Sequence, residues 1–264
     1  MPSRSKETVL APEAHLPIQP IITMCVIISK APEASAMTGE SLKFERQRKN
    51  WTQQQAARHL RVSQGYLSLL EQGRRPVTRR MLKRLLGAYD VSPTSLPLNP
   101  PESWTELNTD GFAQCLGSLG YPGFSYFKVR QVRNPAEVLL LALVQPDLDS
   151  RVVEALPWLP FQYADMDWEW LVRNAKLQDA QNRLGFALTL ARQFAENKND
   201  AAKTETLKQQ EALLDRSRLA REDTLCHDSL TQAEKRWLRE NRPPEAKHWN
   251  LLTDLTVERL ALVE

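Results

Sequence analysis

TQQQAARHLRVSQGYLSLLEQG, residues 52–73, is the stretch of sequence that decides the fold. It predicts two short helices joined by a tight turn. Thr52 with Gln55 three residues later is the pattern of a capping box, in which the two side chains satisfy free N–H groups at a helix start. Ser63 is typical of the residue that caps the second helix, and Gly73 is typical of a helix end.

The apolar residues of this stretch give each helix one inner face. Ala56, Ala57 and Leu60 share a face of the first helix, and Leu67 and Leu70 form an inward stripe on the second. The other positions of the second helix point elsewhere, and they include Gln64, Gly65, Ser68 and Leu69.

Residues 38–96 resemble the Cro/CI-type helix-turn-helix family, the xenobiotic-response-element (XRE) type of bacterial and phage regulators. The motifs that carry the resemblance occur in order and at the right spacing: Thr52-Gln53, Ala56-Ala57, Val62-Ser63, Tyr66-Leu67-Ser68, Glu71-Gln72-Gly73 and Val91-Ser92-Pro93. The resemblance implies an all-α protein with a five-helix, λ-repressor-like DNA-binding domain over 38–96. We expect its first helix over residues 40–49, its fourth from about Thr78, and a short fifth helix that ends near Leu96.

The resemblance also implies which residues contact bases, because members of the family place the start of the third helix in the major groove. The corresponding positions here are Gln64, Gly65, Tyr66, Ser68 and Leu69. A glutamine can bond both N6 and N7 of adenine, whereas Gly65 only permits close approach. Leu69 departs from the polar residue often found at its position, and it could pack on a thymine methyl group.

Phosphate contacts are expected at the edges of this helix pair. Gln53 matches the family position that bonds a phosphate, and the start of its helix adds partial positive charge. The remaining phosphate candidates are Lys43, Arg48, Arg74, Arg75, Arg79 and Arg80.

Four further positions are interpreted as structural. Arg46 and Glu71 match an ion pair with which many members tie helix one to helix three, and we expect it to orient helices more than to add net stability. Arg61 and Asp90 stand where the family often has glycine. We therefore expect a positive φ at both, at some cost to a residue with a side chain.

Charge is distributed unevenly along the chain. Between Thr38 and Asp90 there are twelve Lys/Arg and four Asp/Glu, so this segment carries 12 − 4 = +8. The formal net charge of the whole chain is +3, which leaves 3 − 8 = −5 for the other residues. A basic module on a mildly acidic remainder suits an electrostatic search for nucleic-acid phosphates.

The remaining N-terminal residues and the cysteines carry weaker signals. Residues 1–37 are proline-rich without periodicity and are predicted to be a disordered leader, although Met24 and Met37 leave open a later translation start. Cys25, Cys115 and Cys226 are widely separated, as expected of reduced thiols in a cytoplasm. Apolar runs are too short for a membrane span.

The chain after the basic module is expected to contain a linker and loops over 97–134, followed by a helical regulatory or oligomerisation domain over 135–264. Residues 97–134 are aperiodic and glycine-rich, whereas residues 135–264 show the pattern of leucine-rich helices. One long helix is predicted from Asp165 or Asp167 through Phe194, bent at Gly185. Another is expected to carry Leu207, Leu214 and Leu225.

Four functions compete for this second half. Some members of the family carry a self-cleaving protease domain with a Ser-Lys pair on β-strands, which the helical pattern here excludes. The four histidines lack metal-ligand spacing, and no nucleophile–base pattern is visible, so we predict no enzyme, no metal and no cofactor. The aromatic residues between Trp158 and Trp170 could line a ligand pocket, but core packing explains them better. Self-association or binding of a second protein is the remaining interpretation.

Together these observations predict a cytoplasmic, sequence-specific transcriptional regulator, a dimeric repressor whose helix 63–72 contacts double-stranded DNA. Homodimerisation would supply two recognition helices about one turn of DNA apart, ~34 Å. The alternative is an antitoxin-type interaction protein that binds a partner protein through the C-terminal helical domain and represses its own operon. No membrane association is expected.

Overall fold

The computed structural model describes residues 37–99, 107–127 and 132–260, apart from the side chains of Arg79, Arg80 and Leu260. The predicted disordered leader therefore lies outside the described residues, except for Met37. The fold is all-α, as predicted, and within the described ranges β-structure is confined to one two-stranded parallel pairing and one isolated bridge. No helix in those ranges is long and apolar enough to span a lipid bilayer.

Four helices and a 3₁₀ turn form the N-terminal region, residues 37–96, which we call the head. The helices are α1 (Gly39–Arg48), α2 (Gln53–Leu60), α3 (Gln64–Glu71) and α4 (Arg79–Tyr89), and the 3₁₀ turn is Pro93–Ser95. The turn replaces the predicted fifth helix. Leu96 is already extended, because the following Pro97 disfavours a helical conformation at the residue before it.

The helix ends of the head follow from local chemistry. Thr52 and Gln55 form the predicted capping box, Ser63 accepts a hydrogen bond from the Tyr66 N–H, and Thr78 caps α4. Arg61 and Asp90 both adopt the left-handed conformation expected of them, at φ 54° and 56°. Side chains from all four helices then form one apolar core.

The larger C-terminal region, residues 107–127 and 132–260, is called the body. Its helices are α5 (Thr109–Leu119), α6 (Pro135–Leu143), α7 (Ser150–Ala155), α8 (Trp158–Gln162), α9 (Trp168–Leu177), α10 (Gln181–Asn197), α11 (Ala201–Asp215), α12 (Gln232–Asn241), α13 (Pro244–His248) and α14 (Val257–Leu260). Strands β1 (Asp223–Thr224) and β2 (Leu251–Leu252) pair in parallel. These elements surround a second, larger apolar core.

Three expectations for this half differ from the structure. The predicted linker and loops contain α5, whose Phe112 and Leu116 are fully buried in the body core. The long helix is two helices, α9 and α10, because residues 178–180 leave the helical path with Asp179 at φ 55°. Leu225 follows β1 and does not lie on α11.

α10 continues through Gly185 as one helix, and this glycine leaves room for a neighbouring ring. A Cβ at this position would collide with the indole of Trp249. That indole is completely buried, and its Nε1–H donates to the Thr189 hydroxyl one turn further along α10, at 2.8 Å. The glycine is therefore explained by close packing.

The body core contains one extensively bonded charge, Arg183 on α10. Its guanidinium contacts both carboxylate oxygens of Asp223 at 2.8 and 2.9 Å, and Asp228 at 3.3 Å. It also donates to the main-chain oxygens of Leu143 and Gln145. Burial lowers the pKa of Arg183, but the Asp223 bond and the surrounding negative charges raise it by more, so the residue stays charged.

Candidate nucleic-acid interface

The first turn of α3 forms the accessible end of the head. Gln64 and Gly65 are both exposed, and no atom would lie within 4 Å of a Cβ placed on Gly65. Leu67 and Leu70, on the opposite face, are buried in the head core. The packing that holds α3 in place therefore leaves its N-terminal end open to an approaching surface.

The other three predicted base-contacting residues are half-buried. Tyr66 packs against the head core, and the guanidinium carbon of Arg75 lies 5.8 Å from its ring centre. The Ser68 hydroxyl accepts a hydrogen bond from the Gln72 side chain at 3.0 Å. Leu69 is not part of the apolar core and lies on the same helix face as Gly65, four residues earlier.

An ion pair between α1 and α3 fixes the orientation of the exposed helix. Arg46 donates through Nε and Nη2 to the two oxygens of Glu71, at 2.7 and 3.1 Å, and both residues are buried. Its Nη1 donates to the main-chain oxygen of Trp51 at 2.9 Å. The hydrogen bonds to Glu71 raise the pKa of Arg46, so the guanidinium stays charged.

Glu71 also engages the residue expected to contact a phosphate. The Gln53 side-chain amide donates to Glu71 Oε2 at 2.9 Å. Gln53 is the first residue of α2, so its main-chain N–H has no acceptor within the helix. The Gln53 side chain is thus held by the Arg46–Glu71 ion pair. The main-chain N–H groups at the start of α2 remain available to bind an anion such as a phosphate.

The basic candidates fall into three groups. Lys43, Arg74 and Arg75 are exposed. Arg48 is held by Glu45 at 2.6 Å and by the main-chain oxygen of Tyr89 at 3.1 Å, so its guanidinium already has partners within the head. The side chains of Arg79 and Arg80 lie outside the described part of the chain.

Trp51 is a structural contributor that sequence patterns did not indicate. Its main-chain oxygen accepts from Arg46, and its indole stacks on the His59 ring at 4.1 Å between centroids and 6° between planes. No local motif could have predicted either contact. A main-chain acceptor has no residue-type signature, and the stack joins residues eight positions apart.

The body presents a weaker case for a chemical site. Aromatic side chains between Trp158 and Trp170 pack on the body core, and the Tyr163 hydroxyl donates to the Leu119 main-chain oxygen at 2.6 Å. An open groove of about 830 Å³ lies between α10 and α11, lined mainly by charged residues. Within the described ranges, His, Cys, Asp and Glu form no group that could hold a metal ion.

Comparison with known protein families supports the assignment of the head. Residues 39–98 match a family model described as "Helix-turn-helix domain", which is less than a quarter of the chain. No curated protein and no solved structure matches the chain. Residues 39–98 are therefore a helix-turn-helix domain of the XRE-like type, and this domain indicates a DNA-binding regulator of transcription.

Proposed function

We propose that the protein is a dimeric, sequence-specific repressor that places α3 in the major groove of double-stranded DNA. The observation that carries the proposal is the exposed first turn of α3, where Gln64 is free to meet base edges and Gly65 offers no steric obstacle. The major groove admits one α-helix, and a glutamine at its start can make a bidentate contact with adenine.

Charge near α3 supports the same orientation. Exposed Arg74 and Arg75 lie just past the C-terminal end of α3, and the guanidinium carbon of Arg75 is 5.8 Å from the ring centre of Tyr66 in its first turn. The start of α2 approaches the C-terminal end of α3 through the bond from Gln53 to Glu71, and it presents main-chain N–H groups there. Phosphates on either side of the groove would meet these groups while α3 lies between them. Lys43 on α1 is a further cation available for this purpose.

Dimerisation and repression complete the proposal. One head would contact one half-site, so a second copy would supply the affinity and sequence length that an operator needs. Repression would follow if the occupied operator overlapped a promoter. Such a regulator would act in the cytoplasm on chromosomal DNA.

The test of base contact compares Gln64→Ala with Gln232→Ala, which removes the same side chain from the exposed start of α12 in the body. Both proteins are assayed on duplexes that the wild-type protein enriches from a random-sequence pool. We expect Gln64→Ala to lose about 1–3 kcal/mol of discrimination at one base pair. Unchanged affinity and preference in Gln64→Ala would overturn the proposed role of α3.

The test of phosphate contact compares two arginines of the head. Arg74→Ala should reduce the slope of log affinity against log salt by about 0.9, since one phosphate contact is lost. Arg48→Ala should leave the slope nearly unchanged, because Arg48 is bonded to Glu45 and to the Tyr89 main-chain oxygen. Equal slopes for both variants would contradict the proposal that Arg74 contacts a phosphate and Arg48 does not.

An antitoxin-type role is the second candidate, and the exposed apolar side chains of the body favour it. Leu177 and Trp237 are 71% and 55% exposed, which suits contact with another protein. Co-purification with the product of a neighbouring gene, combined with weak DNA binding by the isolated protein, would favour this role over the repressor.

A further inference from the structure

Asn134 joins the head to the body. It caps the start of α6 by accepting from the Ala136 N–H at 2.9 Å. Its side-chain nitrogen donates to two main-chain oxygens in the last turn of the head, at 2.9 Å to Thr94 and 2.7 Å to Leu96. The residue is only 2% exposed, so its two donors and its acceptor are all used inside the protein.

Two other polar contacts hold the same short segment. The Thr94 hydroxyl donates to Asp165 at 2.8 Å, in the loop before α9. Asn99, three residues after the head, donates to Glu137 at 2.8 Å. Glu137 is 1% exposed and also accepts from Arg133 at 2.7 Å, so this acceptor is itself fixed in place.

An apolar contact accompanies the polar ones. Val132 packs against the apolar cores of both the head and the body. Asn134 itself is almost completely buried, so water is excluded from its bonds, which strengthens them relative to bonds at an open surface. We call the contacts of Asn134 with Thr94 and Leu96 the Asn134 clamp.

We infer that the Asn134 clamp makes head and body one rigid unit, so that Asn134 positions the recognition helix and restricts the half-site spacing accepted by a dimer whose copies join through their bodies. A head on a flexible tether could adjust to several spacings, because a tether tolerates a range of distances. A head that is held rigidly on the body cannot adjust to several spacings in this way. The statement about spacing rests on the proposed dimeric DNA binding, whereas the statement about rigidity does not.

The rigidity is tested first, without DNA. In the deuterated full-length protein, ¹⁵N relaxation gives separate rotational correlation times for head and body amides. We expect one common value for the wild-type protein. In Asn134→Asp and Asn134→Ser, which retain an oxygen for the α6 cap but lack the two donors, we expect a shorter value for the head than for the body.

The matched control is Asn108→Ser, the same change at the cap of α5, whose bond to the Gly111 N–H lies inside the body. It should leave one common correlation time. A wild-type head that tumbles faster than the body would overturn the clamp, and so would a folded Asn134 variant that keeps a common value. If both Asn134 variants fail to fold, the wild-type measurement decides the rigidity alone.

The spacing is tested on duplexes derived from the site that the wild-type protein enriches from a random pool. Wild-type affinity should fall about tenfold or more when about five base pairs, half a helical turn, are inserted between half-sites. For Asn134→Asp the fall should be within about threefold, with single half-site affinity unchanged. Equal spacing dependence in both proteins would overturn the positioning role. Failure to enrich any duplex would refute the proposed function and leave the relaxation result standing.

Discussion

Head and body bury their helices in different ways. In the head, α2 and α4 are amphipathic and expose one polar face, and α1 buries only Leu42 and Arg46, so much of their charge reaches solvent. In the body, every residue of α6 is buried and α10 is buried over most of its length. The body therefore contains core-filling helices, which the head lacks, whereas α11 and α12 of the body keep most of their residues at the surface as the head helices do.

The two regions also bury a charge differently. Arg46 in the head has one acidic partner, Glu71, and one main-chain partner. Arg183 in the body has two acidic partners and two main-chain partners, and it connects α10 to the C-terminal end of α6, to Gln145 and to β1. Removing the Arg183 guanidinium would therefore leave more hydrogen-bond acceptors unpaired than removing the Arg46 guanidinium.

The strongest test of this contrast is Arg183→Met. We expect a loss of about 3–5 kcal/mol from the body, because breaking a buried ion pair leaves uncompensated charge behind. Hydrogen exchange measured by mass spectrometry should show faster exchange in body peptides and little change in head peptides. Arg46→Met is the matched variant, and it should show faster hydrogen exchange in head peptides and little change in body peptides. Similar losses across the whole chain in either variant would contradict two separately stabilised regions.

A smaller effect is expected at two glycines. Gly185→Ala should cost the body about 1–3 kcal/mol, because the new methyl group meets the buried Trp249 ring. Gly65→Ala should stabilise the head by up to about 1 kcal/mol, because alanine favours a helix and has open space here. Urea denaturation measures both changes. A Gly185→Ala protein as stable as the wild type would show that α10 and Trp249 are less closely packed than described.

The same Gly65→Ala protein separates stability from binding. If α3 approaches DNA closely, the added methyl group should weaken binding although the head is more stable. Gly87→Ala is the control, since Gly87 is also in a head helix with open space around it but lies on α4. Equal affinity of the two variants would argue against close approach at Gly65.

The smallest effect concerns thiol reactivity, which reports on the body alone because the head contains no cysteine. Burial raises the pKa of Cys115 to about 11 and that of Cys226 to about 12. In a Cys25→Ser background at pH 8, iodoacetamide should therefore alkylate neither thiol until denaturant opens the body. Arg183→Met should allow alkylation at lower urea. Rapid alkylation of the native protein would show that the body opens without global unfolding.

The sequence predicted the head better than the body for a physical reason. Thr52, Ser63 and Thr78 cap their helices through bonds to residues three positions away, so the signal is local. Amphipathic periodicity supported the same boundaries. Thr231 and Glu234 carry the same kind of local signal in the body, where they form the capping box that starts α12.

Body features that depend on distant contacts were missed. Gly111 and Gly117 belong to the segment predicted to be linker and loops, but both lie inside α5, and at Gly117 a Cβ would collide with the Phe124 main-chain oxygen. At Gly185, where a bend is predicted, a Cβ would likewise collide with the Trp249 ring. A glycine looks identical in sequence whether it supplies a turn or makes room for a neighbour.

For the candidate interface, the base and phosphate contacts stay predictions, and the structure adds side-chain partners that the sequence did not indicate. The pairing of Arg46 with Glu71 came from the family resemblance, and their groups lie 2.7 Å apart. The additional bond from Gln53 to Glu71, and the engagement of Arg48, depend on rotamers and main-chain oxygens that carry no sequence signature.

The Asn134 clamp has a consequence for exchanging parts between proteins. Its acceptors are main-chain oxygens, which every amino acid provides, so the bond does not depend on which side chains occupy positions 94 and 96. A helix-turn-helix module of different sequence could be grafted onto this C-terminal region and keep the same attachment, provided its last turn followed the same backbone path. The C-terminal region could then carry helix-turn-helix modules of different DNA preference without a change in its own sequence.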